Sequence, residues 1–206
     1  MTSCCFQRAR SPQQKAERRA QILQAAAEAF QRDRFQAIAL ADIARQSGVS
    51  KAALYRYFPS KESLFLALYL SELEALADCT LVEDKALWEQ LADNLIARPL
   101  FCRLTAILHS VLEQNLDQTQ AREFKLLLLE SFSSLSRRLQ LHYGLPEKQV
   151  NAYLLQAQQS VIGCWVMSHP APVMDNLLDE APFDVFRVQF DRALKTQLAA
   201  LEAAQK

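Results

Sequence analysis

Leu40 to Lys61 reads LADIARQSGVSKAALYRYFPSK, and the spacing within it decides the fold. Leu40, Ile43 and Ala44 recur at helical spacing; Leu54 and Phe58, four apart, share one face of a second helix. Between the two stands a single turn signal, Ser47-Gly48-Val49-Ser50. Glycine takes positive φ at no steric cost, so Gly48 can close the first helix in a left-handed residue. Ser50 is a preferred N-cap for the second, its hydroxyl accepting an otherwise unpaired backbone N–H. Two helices joined by a short turn containing glycine predict a helix-turn-helix, whose second helix enters the DNA major groove.

With Leu54 and Phe58 inward, that second helix turns Lys51, Ala52, Ala53, Tyr55, Arg56 and Tyr57 to the outside or the flanks. Basic groups and tyrosine hydroxyls contact phosphates, while small alanines permit close approach and can touch a thymine methyl. Pro59-Ser60-Lys61-Glu62 then opens another helix with Ser60 as N-cap. Its free N–H groups and Lys61 make a phosphate seat.

Upstream, Ser11-Pro12-Gln13-Gln14 is a helix start, with Ser as cap, Pro at the first position and Gln three residues after the cap. This helix is expected to reach about Arg32, with Ile22, Leu23, Ala26, Ala27 and Phe30 on one face. Lys15, Arg18 and Arg19 near its start are placed to reach the DNA backbone. Residues 1–11, with Arg8 and Arg10, read as a flexible basic tail.

Residues 18–68 resemble the DNA-binding domain of the TetR/AcrR family of bacterial transcriptional regulators. The resemblance is carried by Ile22, Ala26 and Phe30, by Asp42-Ile43-Ala44, by Gly48-Val49-Ser50, and by Leu54-Tyr55, Tyr57-Phe58 and Lys61. It implies a DNA-binding domain at 12–66 and an effector-binding and dimerisation domain at 67–206. Three departures stand out. Arg34, in QRDRFQ, replaces the family's glycine after the first helix, so Asp33 or Arg34 is expected to supply the turn at positive φ, with mild strain. Ile38-Ala39 replaces the Ser or Thr that caps the next helix, a loss of about 1 kcal/mol. The small polar residue usual near Ala53 is missing.

Beyond Lys61 the pattern is helical throughout. LFLALYLSELEAL is apolar on nearly all sides, as in a helix buried on several sides. Further helices are expected over 84–97 (Trp88, Leu91, Leu95), from Pro99 to about Asn115 (Phe101, Leu104, Leu108, Leu112), and through Phe124, Leu128, Leu135 and Leu139 to Gly144. Another runs from Pro146 to His169 through Val150, Tyr153, Leu154, Ala157, Val161 and Trp165. The last is expected over Phe183 to about Ala204. The expected fold is therefore all-α: a three-helix head and a helical body, about nine helices in all.

Formal net charge is zero but unevenly spread. Residues 1–66 hold 11 Lys and Arg against 5 Asp and Glu; residues 67–206 hold 12 against 18. This describes a polyanion-binding head on an acidic body. The five cysteines, Cys4, Cys5, Cys79, Cys102 and Cys164, lack metal-ligand spacing, and the sequence leaves open whether they sense redox state. Gly-rich phosphate loops, paired catalytic carboxylates and nucleophile motifs are absent, and the reading calls for no enzyme activity, metal or cofactor. No apolar run is long enough to span a membrane and no export signal is evident, which makes a soluble cytoplasmic protein the expectation.

The expected function is a dimeric regulator, most simply a repressor, that binds a palindromic double-stranded operator and is released by a small apolar or amphipathic effector. Expected DNA contacts are Lys15, Arg18, Ser50, Lys51, Ala52, Ala53, Tyr55, Arg56, Tyr57 and Lys61. Trp88, Phe101, Leu104, His109, Phe124, Leu128, Tyr153 and Trp165 are the expected effector residues. Ala157, Val161, Cys164, Phe186, Phe190, Leu194 and Leu201 are expected at the homodimer interface, the last two long helices forming a four-helix bundle as the resemblance implies. Gly163, costly within a helix, fits close approach to a partner or a ligand. The rivals are a regulator governed by a protein partner, a helical enzyme, and a DNA-coating protein of little sequence preference.

Overall fold

The computed structural model describes residues 11–204, and all regular structure among them is helical. Of the expected basic tail only Ser11 falls within the described residues; Arg8, Arg10, Cys4 and Cys5 lie outside them. The chain forms two compact units, Met1–Ser71 and Glu72–Lys206, and the division falls inside a helix.

The first unit starts with α1, Pro12–Arg32. Ser11 Oγ accepts from Gln14 N at 3.1 Å and Ser11 N donates back to Gln14 Oε1, closing a reciprocal cap. Ile22, Ala26 and Phe30 have almost no exposed surface. After α1 the chain departs from expectation. Asp33 (φ −121°) and Arg34 (φ −71°) are both extended, so no left-handed residue replaces the missing glycine. Instead the backbone runs out straight into a 3₁₀ turn, Phe35–Ala37, and the Phe35 ring drops into the core. There it meets Phe65 edge-on at 5.1 Å, while Phe30 meets the same ring at 5.3 Å. A buried aromatic thus fixes the corner that backbone conformation fixes elsewhere.

Helix α2, Leu40–Gln46, has Ala39 at its N-cap and no side-chain bond there; Asp42 in its first turn suits the positive helix end. Gly48 takes φ +64°, and Val49 N–H returns to the Ala44 carbonyl at 2.9 Å. Ser50 caps α3, Lys51–Tyr57, accepting from Ala53 N at 3.2 Å. Ser60 and Ser63 exchange backbone-to-hydroxyl bonds at 3.0 Å each way and start α4, Lys61–Ala77.

In the second unit α5 is Leu87–Ile96, α6 Pro99–Ile107, α7 Gln118–Tyr143, α8 Glu147–Ser168, α9 Pro172–Leu177 and α10 Phe190–Ala203. Helix α8 packs against α6, α7 and α10, and α10 also packs against α5. Pro99 sits in the first turn of α6, where its missing N–H costs nothing. The expected continuation to Asn115 is interrupted: Leu108–Leu112 widens into a π turn, with Glu113 N–H reaching Leu108 O at 3.0 Å. Asp117 and Gln120 form a second reciprocal cap for α7, which ends on Gly144 at φ +65°.

The chain ends α8 at Ser168 but does not resume a long helix at Phe183 as expected. Phe183–Phe186 is a separate 3₁₀ turn and α10 begins only at Phe190. Phe186 is therefore off the helix and 68% exposed, so Phe186, Phe190, Leu194 and Leu201 are not one helical stripe. Arg187, in the break between the 3₁₀ turn and α10, is tied back to Asp175 and Asp179. Core leucines Leu194 and Leu198 have no exposed surface, and Tyr153 Oη donates to Leu198 O at 3.1 Å, joining α8 to α10. Glu202 accepts Trp88 N–H at 2.8 Å, which satisfies an open donor in the first turn of α5.

Candidate nucleic-acid interface

The short helix α3 presents two chemistries on opposite faces. Leu54 is fully buried and Phe58, just past its end, is 4% exposed. Lys51, Ala52, Tyr55 and Arg56 are exposed; Ala53 and Tyr57 lie half-buried at the flanks. The outward face thus combines two cations, a small patch of methyls and a phenol that projects 42% of its surface. Lys51 Nζ lies 5.9 Å from the centre of the Tyr55 ring, which keeps the two groups on one side of the helix. Ser50 is exposed, but its hydroxyl is engaged as the cap of α3.

Supporting residues hold this face in place. Arg18 on α1 donates to the Gly48 carbonyl at 3.4 Å, linking α1 to the turn. Arg19 stands 5.6 Å over the Phe58 ring. Lys15, one turn earlier, is exposed. Lys61, expected as a free phosphate contact, is half-buried: its ammonium lies 4.3 Å from the Phe35 ring centre and donates to the Gln36 carbonyl at 3.4 Å. Burial lowers its pKa, opposed by the Glu62 carboxylate. Three donors on one ammonium leave capacity for a phosphate besides the carbonyl. Sequence spacing gave no sign of Phe35, 26 positions away, as the partner of Lys61.

A helix-turn-helix with a cation- and tyrosine-bearing second helix has the chemistry of a major-groove reader. The profile for bacterial regulatory proteins of the tetR family matches residues 22–68, and that for the tetracyclin repressor-like C-terminal domain matches residues 66–203. The chain belongs to the TetR family. It is a DNA-binding transcriptional regulator and not an enzyme. The regulator's fold is shared with a tetR-family transcriptional regulator from Streptomyces coelicolor (TM-score 0.59, 19% identity, 92% of this chain and 82% of that one). A TetR regulator from Rhodococcus sp. RHA1 is also similar (TM-score 0.58, 15% identity, 91% and 96% covered). Curated relatives are similar over part of the chain: nucleoid occlusion factor SlmA of Shewanella denitrificans is 34% identical over 93 residues, 45% of this chain and 45% of that relative. Nucleoid occlusion factor SlmA of Marinobacter nauticus is 51% identical over 55 residues, 27% of this chain. The chain spans just over a quarter, 28%, of that relative's length.

In the body of this TetR-family chain, the residues expected to hold an effector are spread apart. Phe101, Leu104, Phe124 and Tyr153 are buried in the core. Leu128 is half-buried. His109, on the π turn, is exposed, with Nδ1 3.0 Å from Glu113 Oε2 and Nε2 facing Gln158. Trp165 stacks on His169 at 4.0 Å and meets Phe190 edge-on, at the start of α10. Trp88 donates its backbone N–H to Glu202, near the end of α10. Twelve residues of helix separate those two anchors, about 18 Å, so the backbone at Trp88 and the Trp165 ring lie at opposite ends of α10. An open groove of about 560 Å³ beside α10 is bounded by Arg187, Arg192, Thr196 and Gln197, none of them an expected effector residue.

The expected dimer residues also divide. Ala157, Val161, Cys164 and Leu194 are each at most 3% exposed within one protomer. Phe190 and Leu201 are half-buried. Gly163 is exposed, and a Cβ added there would meet nothing within 4 Å. Its lack of a side chain is therefore not required by packing inside the protomer.

Proposed function

We propose that this TetR-family regulator is a cytoplasmic homodimer that represses transcription from a palindromic operator and leaves it when a small apolar or amphipathic molecule binds the body. The observation that carries the DNA-binding half is the outward face of α3, with Lys51, Tyr55 and Arg56 exposed over a buried Leu54. Two such faces linked by dimerisation gain affinity that one lacks.

The dimer seam in this reading is the outer face of α8. Leu155, Val166 and Met167 are 53%, 57% and 61% exposed, and Gly163 lies among them at helical spacing. Residues 149–168, QVNAYLLQAQQSVIGCWVMS, include no charged side chain. A two-fold interface sets like against like, so an uncharged face meets its own copy without repulsion. Open space at Gly163 lets two α8 helices approach closely. The effector site would draw on the apolar interior around Phe101, Leu104, Phe124 and Tyr153, with the buried Thr105 and Ser131 as polar groups. Release follows if the effector prefers the body conformation in which the heads no longer match the operator.

A second reading, control by a protein partner, is supported by Leu126, Leu127 and Leu129 on α7, each more than half exposed. The partial likeness to a nucleoid occlusion factor fits either reading. One experiment separates them. The complex with its selected operator is titrated with panels of apolar and of highly charged small molecules, followed by fluorescence anisotropy. Release by apolar compounds, lost in Phe124→Ala, is the expected outcome; release by charged compounds alone contradicts it, and release by no compound favours control by a protein partner.

A further inference from the structure

Residues 169–189, between α8 and α10, form a strap held together by a polar clamp on its surface. Arg187 donates to the Asp175 carbonyl at 2.7 Å and pairs with the Asp175 and Asp179 carboxylates at 3.1 and 2.7 Å. A weaker bond reaches the Leu178 carbonyl at 3.4 Å. One guanidinium thus gathers α9, the turn after it and the approach to α10 into a folded piece. Leu178 alone among its large apolar residues is buried.

Leu177 and Val188 are half-buried, and five other large apolar side chains face water. Val173 and Val185 are each 76% exposed, Phe186 68%, Met174 46% and Phe183 40%. Taking full side-chain areas of up to about 200 Å², these five expose on the order of 500 Å². A stable interface buries about 800 Å² on each partner. The strap alone is short of that. It follows directly on Val166 and Met167, however, the exposed end of the α8 face already assigned to the dimer seam. On the same basis Leu155, Val166 and Met167 expose on the order of 300 Å², which brings seam and strap together to about 800 Å².

We propose that the strap is part of the dimer interface: its apolar side is covered by a second copy of this chain, and Arg187 acts as the positioning residue that holds it in the covering shape. The proposal rests on the α8 dimer reading and extends it to a segment that the sequence pattern had assigned partly to a helix. An ion-pair clamp suits this task because the strap has too few inward apolar groups to hold its own shape. Asp175, Asp179, Glu180 and Asp184 keep the rim of the strap charged and therefore soluble before assembly.

The test is sedimentation velocity on the full chain over a concentration series, with circular dichroism to confirm unchanged helicity. The variants are Val185→Ser with Phe186→Ser, Arg187→Met, and Gly163→Glu. Wild type is expected as a dimer, and Gly163→Glu as a monomer through a charge buried at the seam. Both strap variants are expected to raise the dimer dissociation constant at least tenfold while the protomer stays folded. Strap variants that dimerise like wild type, while Gly163→Glu dissociates, overturn the proposal and leave the α8 seam standing. A wild type that sediments as a monomer, or a Gly163→Glu variant that stays dimeric, overturns the α8 reading and with it the strap.

Discussion

The Lys61 ammonium lies 4.3 Å from the centre of the Phe35 ring and donates to the Gln36 carbonyl at 3.4 Å. The start of α4 is thereby pinned to the 3₁₀ turn that stands where the family has glycine. Lys61 then has two tasks, holding this corner and offering its remaining donors to a phosphate. Lys61→Ala is expected to weaken binding to all DNA sequences and to reduce the salt slope of log K by about one. Phe35→Leu keeps most of the buried volume and removes the ring, and is expected to lower stability by about 1 kcal/mol. A salt titration and a denaturant melt check the two; a Lys61→Ala slope equal to wild type assigns Lys61 to structure alone.

Ala53 lies at the flank of α3, half-buried, with its N–H bonded to Ser50 Oγ. In Ala53→Leu the longer side chain is expected to keep it out of close contact with the groove, reducing operator affinity by about tenfold, on the order of 1.4 kcal/mol. Melting of the free protein should change little. Unaltered operator affinity in an anisotropy titration would place Ala53 outside the interface.

Much of the head could be read in the sequence because its signals are local. Ser11 with Gln14, Gly48 and Ser50 each act on residues within four positions, and each does in the structure what its position implied. The corner at Asp33 and Arg34 could not be read. What fixes it is Phe35 packing on Phe65, thirty positions away. In the body the start of the last helix was misplaced for a similar reason. Phe186, Phe190 and Leu194 keep a spacing of four, but the chain breaks before Phe190, where Arg187 pairs with Asp175 and Asp179, twelve and eight positions away. Burial of Leu194 and Leu198 against the protomer's own helices was equally hidden, since periodicity shows that a face is apolar and not what covers it.

Glu113 provides a pH-dependent test of the body. Burial works to raise its pKa, but hydrogen bonds from Lys125 at 2.7 Å and His109 at 3.0 Å outweigh it and hold the carboxyl below its ordinary value. A carboxyl with a lower pKa in the folded than in the unfolded chain contributes stability above the unfolded value, and that stability is lost as pH falls through the folded one. Glu113→Gln should therefore melt a few degrees below wild type near neutral pH, with the gap closing as pH falls below the ordinary carboxylate range. A gap that persists in acid would show that the ion pairs are not its source.

Cys102 is fully buried and its thiol is pushed up to about 12; burial also raises Cys164. Both should stay protonated and unreactive in the native protein. Cys79 is only half-buried, and although burial raises it too, Arg98 and Arg138 oppose the shift. In a Cys4→Ser, Cys5→Ser background treated with a thiol reagent at about pH 8, Cys79 is expected to label first. Mass spectrometry should find Cys102 and Cys164 modified only under unfolding conditions. Native labelling of Cys102 would contradict the packing of α6.

The central claim is that two α3 helices, carried by a dimer, read a palindromic site. The most direct measurement is selection of bound duplexes from a randomised DNA pool by the full chain, followed by titration of the enriched sequence. The account requires an inverted repeat bound by a dimer at least a thousandfold more tightly than unrelated DNA at physiological salt. Enrichment of no sequence, or of a single unrepeated half-site, would contradict it.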